Sequence, residues 1–292
     1  VIAIVGGLGA AVSWAVSTLA SSRSSRLLGA PSVIAWVMVV GFAVILAPAA
    51  FSAPVALDSG DLVGLLIVGI SNNAGLLLAY AALRIGRVSI VAPIVATEGA
   101  VAAAIAVALG EPLRIVTAVV LAAITIGVVL AAAEQRQPDA GRGAPLAAGD
   151  GFVDHGRRAA LLAIAAALAF AVGLVTAGRL GETIPVAWIL LASRTVGTFG
   201  IALPLLVTGR LRLSRAALPL VVLSGFLEVA GTGLYIIAAQ DGIAAAAVLS
   251  SQFAAIAAVA AFFLFGERLQ RIQVAGVVTI AAGVTALAIV RP

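Results

Sequence analysis

Six polar residues stand in the middle of otherwise apolar runs: Asn72 and Asn73, Glu98, Arg194, Glu228 and Gln252. An ionisable group in such surroundings costs at least ~2.5 kcal/mol when it faces hydrocarbon, so it turns toward a protein interior or a watery cavity. The chemistry open to this set is binding a small molecule, exchanging a proton, or mutual neutralisation. Two carboxylates against one guanidinium leave a negative charge unbalanced when all three are ionised. Helical spacing groups further residues with them. Glu228, Thr232 and Tyr235 stand at i, i+4 and i+7, on one face of a helix, and Asn73, Leu77 and Tyr80 repeat that spacing. Trp14 lies in the middle of its apolar run, whereas Trp36 and Trp188 lie near the starts of theirs, where interfacial anchoring suits them. Thr97 adjoins Glu98, and Pro93 just before them removes a backbone hydrogen bond, which places a bend beside the glutamate.

Each of these residues also has a structural reading. Asn72, Asn73 and Gln252 can serve as glue between helices, at around 0.6 kcal/mol per hydrogen bond. Arg194 can be a fixed partner of Glu98 or Glu228. Tyr80 and Tyr235 stand near the ends of their runs and can belong to an aromatic belt. The two glutamates are hardest to account for in this way.

The elements that carry them are set by composition. The chain is 63% hydrophobic and 10% charged, outside the range of a water-soluble domain. A bilayer core about 30 Å thick needs roughly 20 apolar residues per helix. That ruler gives ten candidate spans, at about 2–20, 32–51, 62–83, 88–109, 113–133, 159–177, 184–206, 216–239, 243–265 and 272–290. The expected fold is an all-α integral membrane protein. The first span has no basic segment before it and is too long for a signal peptide, so it reads as a membrane helix. Residues 134–158, rich in Pro, Gly and mixed charge, read as a polar, flexible linker, and the only histidine, His155, reads there as a solvated residue. The chain has no cysteine, which excludes disulfides and thiolate metal sites.

All seventeen basic residues are arginine. Assigned to alternate sides of ten spans, with Arg194 left inside one, they divide unevenly. Arg23, Arg26, Arg84, Arg87, Arg136, Arg142, Arg157, Arg158, Arg210, Arg212, Arg215, Arg268 and Arg271 fall on one side, against Arg114, Arg179 and Arg291 on the other. The positive-inside rule puts the rich side in the cytoplasm and both termini outside. Short basic loops of this kind speak for membrane orientation and against a nucleic-acid face.

A shift of 156 residues lays the chain on itself without a gap. ALGEPL at 108–113 falls on LFGERL at 264–269, and NNAGLLLAYAALRIG at 72–86 on EVAGTGLYIIAAQDG at 228–242. The same register pairs Trp14 with Phe170, Gly41 with Gly197, Pro48 with Pro204, Pro93 with Leu249 and Gly127 with Gly283. Two units are therefore expected, 1–133 and 159–292, joined by the linker. Five spans per unit is an odd number, so the copies are inverted, a construction that places a binding site between them near the bilayer midplane. Asn72 falls opposite Glu228 in this register, so one polar position is kept with different chemistry.

This pattern resembles the EamA-type branch of the drug/metabolite transporter superfamily. The resemblance rests on two five-span halves and on a Gly-Glu pair after the fourth span of each, Gly110-Glu111 and Gly266-Glu267. The small-residue third span also ends in Tyr80, Leu83 and Arg84. It implies a carrier of small metabolites, amino acids or drugs in the cytoplasmic membrane, often working outward. It also implies a cavity lined mainly by spans 1, 3, 4, 6, 8 and 9, peripheral spans 5 and 10, and cytoplasmic termini. The small multidrug resistance relatives use a first-helix carboxylate, a position where this chain has Ser13 and Trp14. The Gly-Glu pair itself reads as a helix boundary. Gly110 can end one helix in the left-handed conformation, and Glu111 then sits at the N-terminus of the next, where negative charge is favoured.

No nucleotide-binding loop is present, which speaks against direct ATP drive. The expected function is a secondary transporter using alternating access, with protons as candidate coupling ions. The alternatives are a membrane-embedded enzyme acting on lipid-linked substrates, for which no convergent catalytic set is found, and a passive channel. Expected substrate-binding residues are Trp14, Asn72, Asn73, Tyr80, Thr97, Glu98, Glu228, Thr232, Tyr235 and Gln252. Glu98 and Glu228 are the proton-coupling candidates and Arg194 the charge partner. No cofactor or metal is expected. The expected partners are a small molecule and the lipid bilayer.

Overall fold

The computed structural model describes residues 2–53, 55–85, 88–132, 150–253, 255–257, 259–260 and 271–290. Every regular element among them is helical. The order is α1 Ile2–Leu28, α2 Ala30–Ala50, α3 Ser59–Ile85, α4 Val88–Val95, α5 Glu98–Ala108, α6 Ile115–Ala132, α7 Asp150–Leu180, α8 Val186–Gly197, a π-helical turn Thr198–Ala202, α9 Leu203–Val207, α10 Leu218–Ala239, α11 Ile243–Ser250 and α12 Arg271–Val290. Lipid offers no partner for a backbone N–H or C=O, so a chain this apolar must satisfy those groups within helices. Among the described residues, six helices are long and apolar enough to cross a membrane, and shorter apolar helices accompany them. Leu62, Leu66 and Ile70 on one side of α3 are exposed, as are Val222 and Phe226 on α10, a surface suited to hydrocarbon.

The helices associate through small residues. α1 packs along α10 and α3 along α7, while α6 pairs with α12, α5 with α11 and α2 with α8. On α1 the buried positions include Ala3, Gly6, Gly7, Ala10, Ala11, Ala15 and Ser17, which let backbones approach closely. Many of the close approaches come in pairs 156 residues apart. Gly69 lies against Val196 and Gly225 against Val40; Gly75 lies against Phe170 and Gly231 against Trp14. Gly127 meets Ile280 and Gly283 meets Ile124; Gly41 meets Arg194 and Gly197 meets Met38.

Two spans read as continuous are broken. α4 ends at Val95 and α5 begins at Glu98, and α11 ends at Ser250 with a turn at Ser251–Gln252. Pro93 is not a sufficient explanation, because the second break has Leu249 where the first has proline. What the breaks share is a hydroxyl bonded three residues back. Thr97 Oγ1 donates to Ile94 O at 2.7 Å, Ser250 Oγ to Ala247 O at 3.1 Å and Ser251 Oγ to Val248 O at 2.9 Å. Such bonds compete with the regular helical pattern. A third irregularity is the π turn between α8 and α9. Pro204 lacks an N–H and its ring crowds the carbonyl four residues earlier, at Gly200, inside that turn.

Further differences from the sequence reading concern boundaries and anchors. α7 begins at Asp150, inside the stretch read as linker. Trp36 Nε1 donates to Arg212 O at 2.9 Å in exposed surroundings, as an interfacial residue does. Trp188 instead packs against the main apolar core, with its Nε1 buried and without a hydrogen-bond partner among the described residues.

Glu111 caps a helix other than the one expected. Gly110 adopts φ +99° after α5, and the Glu111 carboxylate accepts from Ala244 N at 3.2 Å through both oxygens. Ala244 is in the first turn of α11, so the carboxylate meets the positive end of a broken helix far along the chain. Gly266-Glu267 lies outside the described residues.

Candidate functional site

Helix register brings three of the six mid-span polar residues, Asn72, Glu98 and Glu228, to one place. On α10, Glu228, Thr232 and Tyr235 face inward together; on α1, Trp14 and Thr18 are one turn apart; on α3, Val68, Asn72 and Leu76 follow at i, i+4 and i+8. With Glu98 at the start of α5, Phe170 and Leu174 on α7, Ser193 on α8, and Phe253, they enclose a cavity of about 130 Å³. One ordered water needs roughly 10–15 Å³ by the same measure, so the space suits a small organic molecule. A second cavity of about 80 Å³ adjoins it, lined by Ser17, Ser21, Val37 and Tyr80 among others. Thr18, Leu76 and Glu228 belong to both walls.

The two glutamates differ in their surroundings. Glu228 accepts from Ser17 Oγ at 3.1 Å, and its Oε2 lies 3.9 Å from Arg194 Nη2. Arg194 is fully buried and lines neither cavity. Its other hydrogen bonds among the described residues are to Glu228 O and Thr232 Oγ1, each at 3.5 Å, and to Met38 Sδ at 3.3 Å, and its Nε has no partner among them. Burying a guanidinium stabilises nothing by itself unless its partners are good, and this set is long and incomplete. Glu98 is 5% exposed, lines the main cavity, and has no hydrogen-bond or ionic partner among the described residues.

Aromatic rings form the rest of the wall. Trp14 and Tyr235 have centroids 6.3 Å apart at 31°, and Trp14 meets Phe253 edge-on at 6.3 Å. Tyr235 is fully buried and its Oη donates to Leu174 O at 2.9 Å, so it is an internal residue and not part of a belt. Asn72 stands on the wall with its Nδ2 buried and without a hydrogen-bond partner among the described residues.

Four expected site residues stand elsewhere. Asn73 is buried between helices, donating to Gly69 O at 2.8 Å and Ser193 O at 3.4 Å, the glue role. Tyr80 lines only the second cavity. Thr97 and Gln252 occupy the two helix breaks and line neither cavity, although each adjoins a wall residue, Glu98 and Phe253 respectively. Sequence reasoning missed Thr18, Ser193 and Phe253 as wall residues. Thr18 was accessible to it, one helical turn beyond Trp14; the other two depend on packing between helices.

The sequence profile of the EamA-like transporter family matches residues 1–133 and again residues 157–289. The chain belongs to the EamA-like transporter family. It is thereby a multi-pass membrane protein of the drug/metabolite transporter superfamily, whose members are transporters. Among curated proteins none matches the chain. Among solved structures, one titled only as the crystal structure of a protein is similar with a TM-score of 0.76 at 16% identity, covering 98% of this chain and 96% of that one. That likeness speaks to the fold alone.

Proposed function

We propose that this EamA-like protein is a secondary carrier that exports small metabolites, amino acids or drugs across the cytoplasmic membrane by alternating access. In this reading ten spans form two inverted five-helix units, 1–133 and 159–292, joined by a polar connector. The double family match and the glycine contacts exchanged at the 156-residue offset support that division. The observation that carries the functional reading is the cavity itself. It lies between α1, α3, α5, α7, α8 and α10, drawn from both units, and holds two carboxylates in a mostly apolar bundle. Two units that pack on each other through small residues can rock about a site held between them.

The carboxylates suit proton coupling. A carboxyl group that binds either a proton or the substrate, and not both, exchanges one for the other as access switches sides, so downhill proton entry can drive substrate outward. Proteoliposomes test this directly. A pH gradient is expected to drive uptake in inside-out vesicles of the wild-type protein and to fail in Glu98→Gln or Glu228→Gln. Unchanged gradient-driven flux in both variants overturns the proton role, while substrate counterflow without a gradient tests the carrier reading separately.

A further inference from the structure

We infer that the central cavity selects a protonated aromatic amine and rejects the corresponding amino acid and carboxylic acid. This rests on the carrier reading and names its substrate class. Charge decides the sign. Among the described residues the wall carries Glu98 and Glu228 and no basic side chain, since Arg194 is wholly buried and lies outside the lining. Glu228 is already engaged by Ser17 and Arg194, whereas Glu98 has no partner among the described residues. When Glu98 is ionised no charge among the described residues offsets it, and a cation in the cavity would do so in place of a proton.

Shape and surface decide the rest of the ligand. Trp14, Phe170, Tyr235 and Phe253 present rings to the cavity, and ring faces attract an ammonium while ring edges pack a flat apolar body. The Asn72 amide, without a partner among the described residues, adds one donor suited to a hydroxyl or carbonyl oxygen on that body. A carboxylate on the ligand would meet the uncompensated Glu98, while the one guanidinium near the described wall, that of Arg194, is engaged by Glu228 and lies outside the lining. An amino acid therefore gains at one end and loses at the other, and a simple acid only loses.

Three probes of one shape separate these cases: 2-phenylethylamine, phenylalanine and 3-phenylpropanoate, titrated calorimetrically into the purified full-length protein. The expected result is binding of the amine, with the amino acid and the acid at least tenfold weaker. Glu98→Gln, nearly isosteric, is expected to weaken the amine at least tenfold without lowering the thermal midpoint, and Glu98→Asp to retain part of the affinity. Phenylalanine or phenylpropanoate binding as tightly as the amine overturns the assignment, as does undiminished amine binding in Glu98→Gln. Counterflow keeps the two readings apart. Exchange of neutral or zwitterionic metabolites with no exchange of the amine overturns the substrate class and leaves the carrier standing. Amine binding with no counterflow of any compound supports the site and overturns the carrier.

Discussion

The indole of Trp14 rests on Gly231: a methyl group at that glycine would lie 2.7 Å from Trp14 Nε1. The residues 156 positions away repeat the relationship, since a methyl at Gly75 would lie 2.6 Å from the ring of Phe170. Both rings are cavity wall, so two glycines fix how far the aromatic residues retreat from the space between the helices. A scaffold feature and a site feature are thus the same contact.

Gly231→Ala is expected to push Trp14 toward the cavity and to destabilise the protein by about 1–3 kcal/mol, the usual range for an added methyl in a packed site. Trp14→Leu removes the obstructing ring, so the double variant should be more stable than the sum of the two changes predicts. Thermal unfolding in detergent of the four proteins measures that coupling. Strict additivity would show that the glycine is small for another reason.

The Arg194–Glu228 pair, 3.9 Å apart, gives a second prediction. Arg194 is fully buried but Glu228 is partly exposed, so removing the arginine leaves an uncompensated carboxylate at a cost below the roughly 3–5 kcal/mol of a fully buried pair. Arg194→Met is therefore expected to be poorly stable, and Glu228→Gln in the same chain to restore much of the loss. Gly41 strengthens the expectation, because a methyl there would come 2.9 Å from Arg194 Cδ and the guanidinium stem has no room to turn elsewhere. Equal stability of Arg194→Met and the double variant in chemical unfolding would separate the arginine from the glutamate.

Much of this architecture is legible in the residues themselves, and the limits have physical causes. Apolar runs fix where helices form because lipid leaves the backbone no other solution, and the spacing of Glu228, Thr232 and Tyr235 fixes their common face. The partner of Arg194 is not legible: spacing along one helix says nothing about which neighbour stands opposite, so Glu98 and Glu228 are equivalent until the helices pack. The same limit applies to Asn73, whose amide is taken by Gly69 O and Ser193 O although its neighbour Asn72 faces the cavity. The breaks at Thr97 and Ser251 were half visible. Proline marked one, but the hydroxyls that bond back to the preceding turn occur in both.

Glu111 supplies the third prediction. Its carboxylate holds Ala244 N at the start of α11, 133 residues further along, so it ties the loop after α5 to a helix of the second half. Glu111→Ala is expected to lower stability by about 0.5–2 kcal/mol, the range for loss of an N-terminal cap. Hydrogen exchange localises the effect: the Ala244 amide should exchange faster in the variant, with amides in the middle of α3 unchanged. Uniform acceleration across the protein would indicate general destabilisation and no specific cap.

The two helix breaks also constrain each other, through Gly99 and Ser251. A methyl at Gly99 would lie 2.5 Å from Ser251 Oγ and 2.7 Å from Ser251 Cβ, and would press on Ala247 O as well. The carbonyl belongs to the backbone and cannot swing aside, so Gly99→Ala must separate α5 from α11 where both are interrupted. Glu98 is the adjacent residue, and any shift of α5 moves its carboxylate relative to Glu228 and the aromatic wall. Gly99→Ala is therefore expected to reduce substrate counterflow by more than tenfold, beyond what its loss of stability accounts for. Ser251→Gly removes the side-chain part of the conflict and should recover a portion of the flux. Full activity in Gly99→Ala at unchanged stability would mean that the broken helices have slack between them, and that the carboxylate is positioned by some other contact.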